Sequence, residues 1–332
     1  MPRLPLCPAG ILLLVATACA PAAGSRPYAA PPSAFRALVW NVGDSSFVVH
    51  PTTFRGVLRA ADADVLILDE VGGEIEPSEL IPILRGLRGE ADTVWHLAWG
   101  VGGDYQRTVI ASREPVEPLR EFSPLPFTRT TQPVFDRAPD SLHARLRRDF
   151  DRGVATNGAV VRSGGRRLLV VGLDLWARGT RDSWEEARRR VEAATIRDAV
   201  GRVLARLSSE GRAVDGVVLG GDMNLVAGRA PLDTLTASPG AGWRPLAIAP
   251  ALHADGLSRW TWDGRGTPFH SRQMDLTLYS PEALSVEQAR VFDSEQMAPE
   301  ELARFGLGAD ASKSLSRHRP VIVSFRWLPA RW

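Results

Sequence analysis

Residues 217–224 read Val-Val-Leu-Gly-Gly-Asp-Met-Asn. An apolar run of strand type enters a glycine pair and then delivers a carboxylate and an amide two residues apart. In extended backbone such side chains project to one side, so Asp222 and Asn224 can reach a single point. Gly220 and Gly221 permit a sharp bend and the close approach of another group. A carboxylate beside an amide at the C-terminal end of a strand suits the holding of a water against a phosphate or a carbonyl. The plain alternative is an Asx turn that closes a buried strand. Local sequence does not separate the two, so partners elsewhere must decide.

Other polar residues stand at the mouths of apolar runs. Asn41 ends Ala37-Leu38-Val39-Trp40, and Glu70 ends the run at residues 64–69. Asp174 lies near the end of the second strand of a hairpin, read at residues 159–162 and 168–175 around Ser163-Gly164-Gly165. Asp275 begins the strand that runs to Tyr279, and His318 precedes Pro320-Val321-Ile322-Val323-Ser324-Phe325. Singly, each has an ordinary structural explanation. Together they describe a sheet rim lined with oxygen ligands and one imidazole, a set that suits a hard divalent cation and a phosphate ester. A carboxylate would draw the proton from water, and the imidazole would protonate or hydrogen-bond phosphate oxygens.

Trp40-Asn41, Leu68-Asp69-Glu70, Gly221-Asp222-Met223-Asn224, the Asp275 strand and His318-Arg319-Pro320 follow the order and spacing of the endonuclease/exonuclease/phosphatase family, which this chain resembles over about residues 36–327. The resemblance implies the DNase I-like α/β fold, a four-layer αββα sandwich of two mixed sheets. It implies that Glu70 is a metal ligand, usually for magnesium (manganese being the other candidate), with Asn41 beside it. It implies that Asp222 positions or deprotonates the attacking water, that Asn224 orients it, that His318 contacts phosphate, and that Asp275 fixes the His318 tautomer. Two positions depart from the family pattern. Arg317 stands where an Asp is usual, and Asp174-Leu175 replaces His-Leu. Asp174 is expected to supply an oxygen ligand, with Arg317 holding phosphate oxygens as a bidentate donor.

The elements that must position these groups are legible in outline. Residues 51–61 are expected as a short helix, and residues 94–99 and 107–111 as strands. Ser183-Trp184-Glu185-Glu186 predicts a capping box that opens a long helix stopped at Gly211. Six prolines between Pro115 and Pro139 predict a stretch without long regular elements over residues 113–153, its charges forming local ion pairs. Residues 225–258 read as irregular and Trp260-Thr261-Trp262 as a short strand.

The chain has 332 residues with 44% hydrophobic and 23% charged, ordinary globular composition. A formal net charge of +2 excludes a global basic field for nucleic acid. Residues 1–18 read as an export signal, with Cys19 after Ala16-Thr17-Ala18 resembling a bacterial lipoprotein box. Residues 20–34 read as a Pro/Ala-rich tether and residues 35–329 as one domain. The expectation is an exported monomer on the periplasmic or cell-surface side of a bacterial membrane, joined to that membrane only through a lipidated Cys19. With the family resemblance, the further expectation is a metal-dependent phosphoesterase acting on a phosphodiester, with nucleic acid the leading substrate. The acidic Glu74-Ile75-Glu76 stretch, read as close to the site, favours something smaller than duplex DNA. The rival expectation is a catalytically weakened surface lipoprotein that binds a phosphorylated ligand or partner without turnover.

Overall fold

In a computed structural model, the structure describes residues 34–329 except 45, 90–93, 104 and 241. The expectations for the signal segment, Cys19 and most of the tether lie outside the described residues. No helix among the described residues is long and apolar enough to cross a membrane.

The strands, in chain order, are β1 (Ala34–Asp44), β2 (Val65–Gly72), β3 (His96–Trp99), β4 (Gln106–Ser112), β5 (Val116–Pro118), β6 (Thr156–Ser163), β7 (Arg166–Asp174), β8 (Gly216–Asp222), β9 (Ala247–Ile248), β10 (Asp275–Tyr279), β11 (Leu284–Val291) and β12 (Val321–Trp327). One sheet has the order β11-β12-β1-β2-β4-β3 and the other β5-β6-β7-β8-β10-β9. Each contains one parallel pair, β1 with β2 and β7 with β8, among antiparallel neighbours. The architecture is therefore the expected α/β sandwich of two mixed sheets.

Alternation along the strands builds the layers. Val39, Ile67, Val170, Val218, Val323 and Phe325 form the core between the sheets. The intervening residues of the first sheet, Leu38, Trp40, Leu66 and Leu68, point outward. They meet the helix Pro51–Ala61 through Phe54, Val57, Leu58 and Ala61, which recur at helical spacing. The outer face of the second sheet, including Leu169, Val171, Val217 and Leu219, meets Ile196, Val200, Val203 and Leu207 of the long helix Trp184–Ser209. Ser183 caps that helix by accepting from the Glu186 backbone N–H at 3.4 Å. Its first turns bury charge: Arg189, fully buried, donates to the carbonyls of Trp176 (2.7 Å) and Arg178 (2.6 Å) and is paired with Glu186 (2.9 Å).

The sheets approach closely beneath the Gly-Gly pair. A Cβ on Gly220 would stand 2.4 Å from Val39 Cγ2 of the opposite sheet. Gly221 has φ +151°, and a Cβ there would stand 1.7 Å from the Leu173 carbonyl oxygen.

Several local expectations are corrected. Residues 113–153 hold a 12-residue helix, Asp140–Asp151. The last proline of the stretch is its N-cap, so proline starts this helix rather than forbidding it. Leu146 buries against Val134 and Val191, and Arg129 pairs with Asp198 of the long helix, not with a local acid. The nominally irregular stretch after Asn224 contains the helix Ala230–Thr236 and the two-residue β9. Trp260-Thr261-Trp262 is no strand: Trp262 makes isolated bridges to Arg272 and His318. Strand β11 has no expected counterpart, because its residues are mostly half-exposed and its pairing with β12 shifts between Val286 and Gln288.

Gly221→Ala should cost about 3 kcal/mol or more, since it adds both backbone strain and a clash with fixed backbone. Urea unfolding of the variant against the parent measures this, and an unchanged midpoint would contradict the close approach described.

Candidate active site

Strand register assembles the site. Asp222 at the end of β8 lies directly opposite Asp174 on β7 and Asp275 on β10. Asn41 of β1 and Glu70 of β2 come from the facing sheet. One oxygen each of Glu70, Asp174 and Asp222 lie within 4.8 Å of one another, and the same holds for ligand atoms of Asp222, Asp275 and His318. The Asn41 amide donates to Asp222 Oδ2 at 3.2 Å across the two sheets. The Asn224 backbone N–H donates to Asp222 Oδ1 at 2.9 Å, so the Asx turn and the functional pair are one structure. The Asn224 side-chain amide donates to the Leu175 carbonyl (2.7 Å) and to Asp174 (3.4 Å). Gln106, not singled out in the sequence, donates to Glu70 at 3.2 Å. Glu70 and Asn224 both adopt left-handed backbone, φ +54° and +44°. Such conformations concentrate where surrounding structure overrides local preference.

His318 Nδ1 lies 2.8 Å from Asp275 Oδ2, and its Nε2 lies 3.7 Å from Asp222. With Asp275 accepting at Nδ1, Nε2 is the nitrogen turned to the site. Burial pulls the imidazole down, but the charges of Asp275, Asp222 and Glu70 outweigh it and raise it to about 9. Burial, together with Asp275 and Glu70, pushes the Asp222 carboxyl up to about 7, against the opposing pull of His318 and the Asn224 N–H. Asp174 is raised well above the usual range by burial and then by Glu70 and Asp222. Behind it, buried Asp69 is raised by burial although Thr108 donates to it at 2.9 Å. Acids crowded in this way, with buried Asp275 Oδ1 unpartnered among the described residues, are the donor set that a hard cation relieves.

The segment from residue 260 to 263 holds this arrangement in place. The Thr261 hydroxyl accepts from the backbone N–H groups of Met274 (2.9 Å) and Asp275 (2.8 Å). Arg319, fully buried, bonds Asp263 at 2.9 Å and lies 3.3 Å from Asp293. That bolts the turn carrying His318 to the same segment. Arg317 is exposed and donates to the carbonyls of Asp263 (3.2 Å) and Arg265 (3.4 Å). It lines the cleft in front of Glu70, a cavity of about 1180 Å3 that also contains Asn41, Asp222, Asn224 and His318. Asp174 lines a smaller cleft on the other side of Glu70. The structure thus brings Asn41, Glu70, Asp174, Asp222, Asn224, Asp275 and His318 together and leaves Arg317 on the rim. Glu74 and Glu76 line neither cleft, and Glu76 instead caps a helix.

A sandwich with carboxylates, amides and a carboxylate-held histidine at one edge defines a class of phosphoester-cleaving hydrolases. A model of the Endonuclease/Exonuclease/phosphatase family matches residues 38–318, and the chain belongs to that family. Solved structures agree in fold. An endonuclease/exonuclease/phosphatase from Beutenbergia cavernae is 17% identical, with a TM-score of 0.55, covering 89% of this chain and 72% of that one. ANGEL2, a 2',3'-cyclic phosphatase, is 15% identical with a TM-score of 0.55 over 88% of this chain and 95% of its own. Truncated TDP2 of Caenorhabditis elegans is 14% identical with a TM-score of 0.52 over 88% and 97%. No curated protein matches the chain by sequence. By its family, the protein is a hydrolase of phosphoric ester bonds.

Asp263→Asn should cost about 3 kcal/mol at neutral pH, because it strips a buried guanidinium of its closest partner. Burial opposes ionisation of Asp263, yet Arg265 and Arg319 hold its carboxyl down at about 2. Its contribution is therefore complete above about pH 4 and is lost as the pH falls toward 2. Unfolding free energies from pH 7 to 2 should show a shallower acid decline in the variant, and parallel curves would contradict the assignment.

Proposed function

We propose that the protein hydrolyses a phosphodiester with the aid of a divalent cation, magnesium or manganese, held by Glu70 and Asp174 with Asn41 and Asp222 beside them. The observation that carries this reading is the meeting of three carboxylate oxygens within 4.8 Å next to the His318–Asp275 pair. When bound there, the cation supplies charge neutralisation for phosphoryl oxygens. Asp222, fixed by the Asn41 amide and the Asn224 N–H, accepts a proton from the attacking water. His318 donates from Nε2 to a phosphoryl oxygen and is placed to return a proton to the departing alkoxide, with Asp275 holding the ring. Asn224 keeps Asp174 and Asp222 in register. Arg317 lends a positive charge at the rim.

Bis-p-nitrophenyl phosphate should be hydrolysed with magnesium or manganese and not after chelation. His318→Ala should lower kcat at least about 100-fold. Asp174→Asn should weaken magnesium binding at least about tenfold, read by calorimetry on the folded variant. Unchanged affinity would remove Asp174 from the metal site. No turnover of any diester or monoester would favour the ligand-binding lipoprotein instead.

The same proposal puts the enzyme outside the cytoplasm on a lipidated Cys19. Metabolic labelling with a palmitate analogue should mark the protein and fail with Cys19→Ala. An unlabelled parent chain would end the anchor.

A further inference from the structure

The carboxylate cluster stands where two clefts meet. Glu70, Ala177, Arg178 and Asn224 line both the cavity of about 1180 Å3 and a smaller one of about 390 Å3. The two differ in charge. The larger cleft carries Arg178, Arg181, Arg272, Lys313 and Arg317, all exposed. None of these five is paired with a carboxylate among the described residues. Arg272 and Arg317 are instead held by backbone carbonyls, Arg272 by that of Val226 at 2.9 Å. Phe269 lines the same cleft and is 65% exposed, an unusual state for a large aromatic side chain.

In the smaller cleft acids outnumber cations: Glu70, Asp149, Asp174, Glu185 and Glu192 stand with Arg145, Arg188 and the shared Arg178. Arg188 lies 2.8 Å from Glu192 and 3.6 Å from Asp149, and Arg145 lies 3.7 Å from Asp149. The rest of its lining includes Leu142 and Trp184. Unpaired positive charge gathered in one cleft attracts anions beyond the single phosphate at the reaction centre. A lining in which carboxylates outnumber guanidinium groups repels them.

We propose that the substrate is a diester lying across both clefts. One arm, in the larger cleft, is nucleotide-like: a flat ring set against Phe269 and at least one further phosphate among the five cations. The other arm, in the smaller cleft, is compact and uncharged. This rests on the phosphodiesterase reading above and deepens it from a bond type to a substrate class.

Three chromogenic esters test it on the full chain with magnesium: p-nitrophenyl phosphate, thymidine 5'-(p-nitrophenyl phosphate), and the latter carrying a 3'-phosphate. The diesters should exceed the monoester in kcat/KM, and the 3'-phosphate should lower KM about tenfold. In Arg181→Gln/Arg272→Gln the ratio of KM values for the two thymidine esters should fall toward one. In Leu142→Trp, which fills the smaller cleft, both diesters should lose ground to the monoester. Calorimetry is the arm independent of turnover: thymidine 3',5'-bisphosphate should bind about tenfold more tightly than thymidine 5'-phosphate. Tighter binding without hydrolysis would refute the activity but keep the cleft assignment. Equal KM values for the two thymidine esters in the parent chain, a preference for the monoester, or faster cleavage of phosphatidylglycerol vesicles would overturn the inference.

Discussion

The structure turns on the crowding of negative charge between two sheets. Asp174, Asp222 and Asp275 sit abreast on three neighbouring strands, and Asp69 and Glu70 face them from the opposite sheet. Like charges on adjacent strands repel, and burial makes each carboxylate harder to ionise. Every nearby feature answers that repulsion. Asn41 and Asn224 turn amide N–H groups toward the acids, Thr108 satisfies one oxygen of Asp69, and His318 brings a positive charge against Asp275. Glu70 accepts a left-handed backbone in order to be there at all. A fold optimised only for stability would not concentrate acids in this way, which is why the cluster reads as chemistry.

The scaffold exists to bring those acids into one plane. Removing side chains at Gly220 and Gly221 lets the sheets close on one another just below the cluster. Outward-facing residues of both sheets are clamped by helices, Trp40 stacking on Phe54 at 4.8 Å on one side. Buried Arg319 ties the turn carrying His318 to the segment whose Thr261 hydroxyl holds the start of β10. The imidazole and its carboxylate partner therefore share one support, and their 2.8 Å separation is set by backbone rather than by side-chain choice.

What the sequence revealed follows from what local pattern can encode. Polar residues such as Asn41, Glu70 and Asp222 are visible because an apolar run breaks at each, although β1 runs on to Asp44 and β2 to Gly72 through register shifts that the expected strand ends did not include. Their meeting is visible only through resemblance, since register between β7, β8 and β10 is a tertiary fact. The helix Asp140–Asp151 was hidden by the prolines that precede it and by a polar surface that buries little beyond Leu146 and Asp149. The roles of Gln106 and Thr261 are hidden for a simpler reason: neutral polar residues carry no pattern, and only the fold shows what they hold. Arg317 shows the limit from the other side. It stands out in the sequence by departing from the family pattern, yet it sits on the rim and not among the acids.

The ridge at residues 176–181 between the two clefts is stapled from beneath. Arg189 grips the carbonyls of Trp176 and Arg178 from inside the long helix, while Arg178 and Arg181 stand free on the crest. Backbone and side chain thus have separate owners there: the helix sets the shape of the ridge, and the crest sets only its charge. Mutation can rewrite what the crest attracts without loosening the ground under it. A substitution at Arg178 or Arg181 therefore changes the charge of the crest and leaves in place the backbone that Arg189 holds.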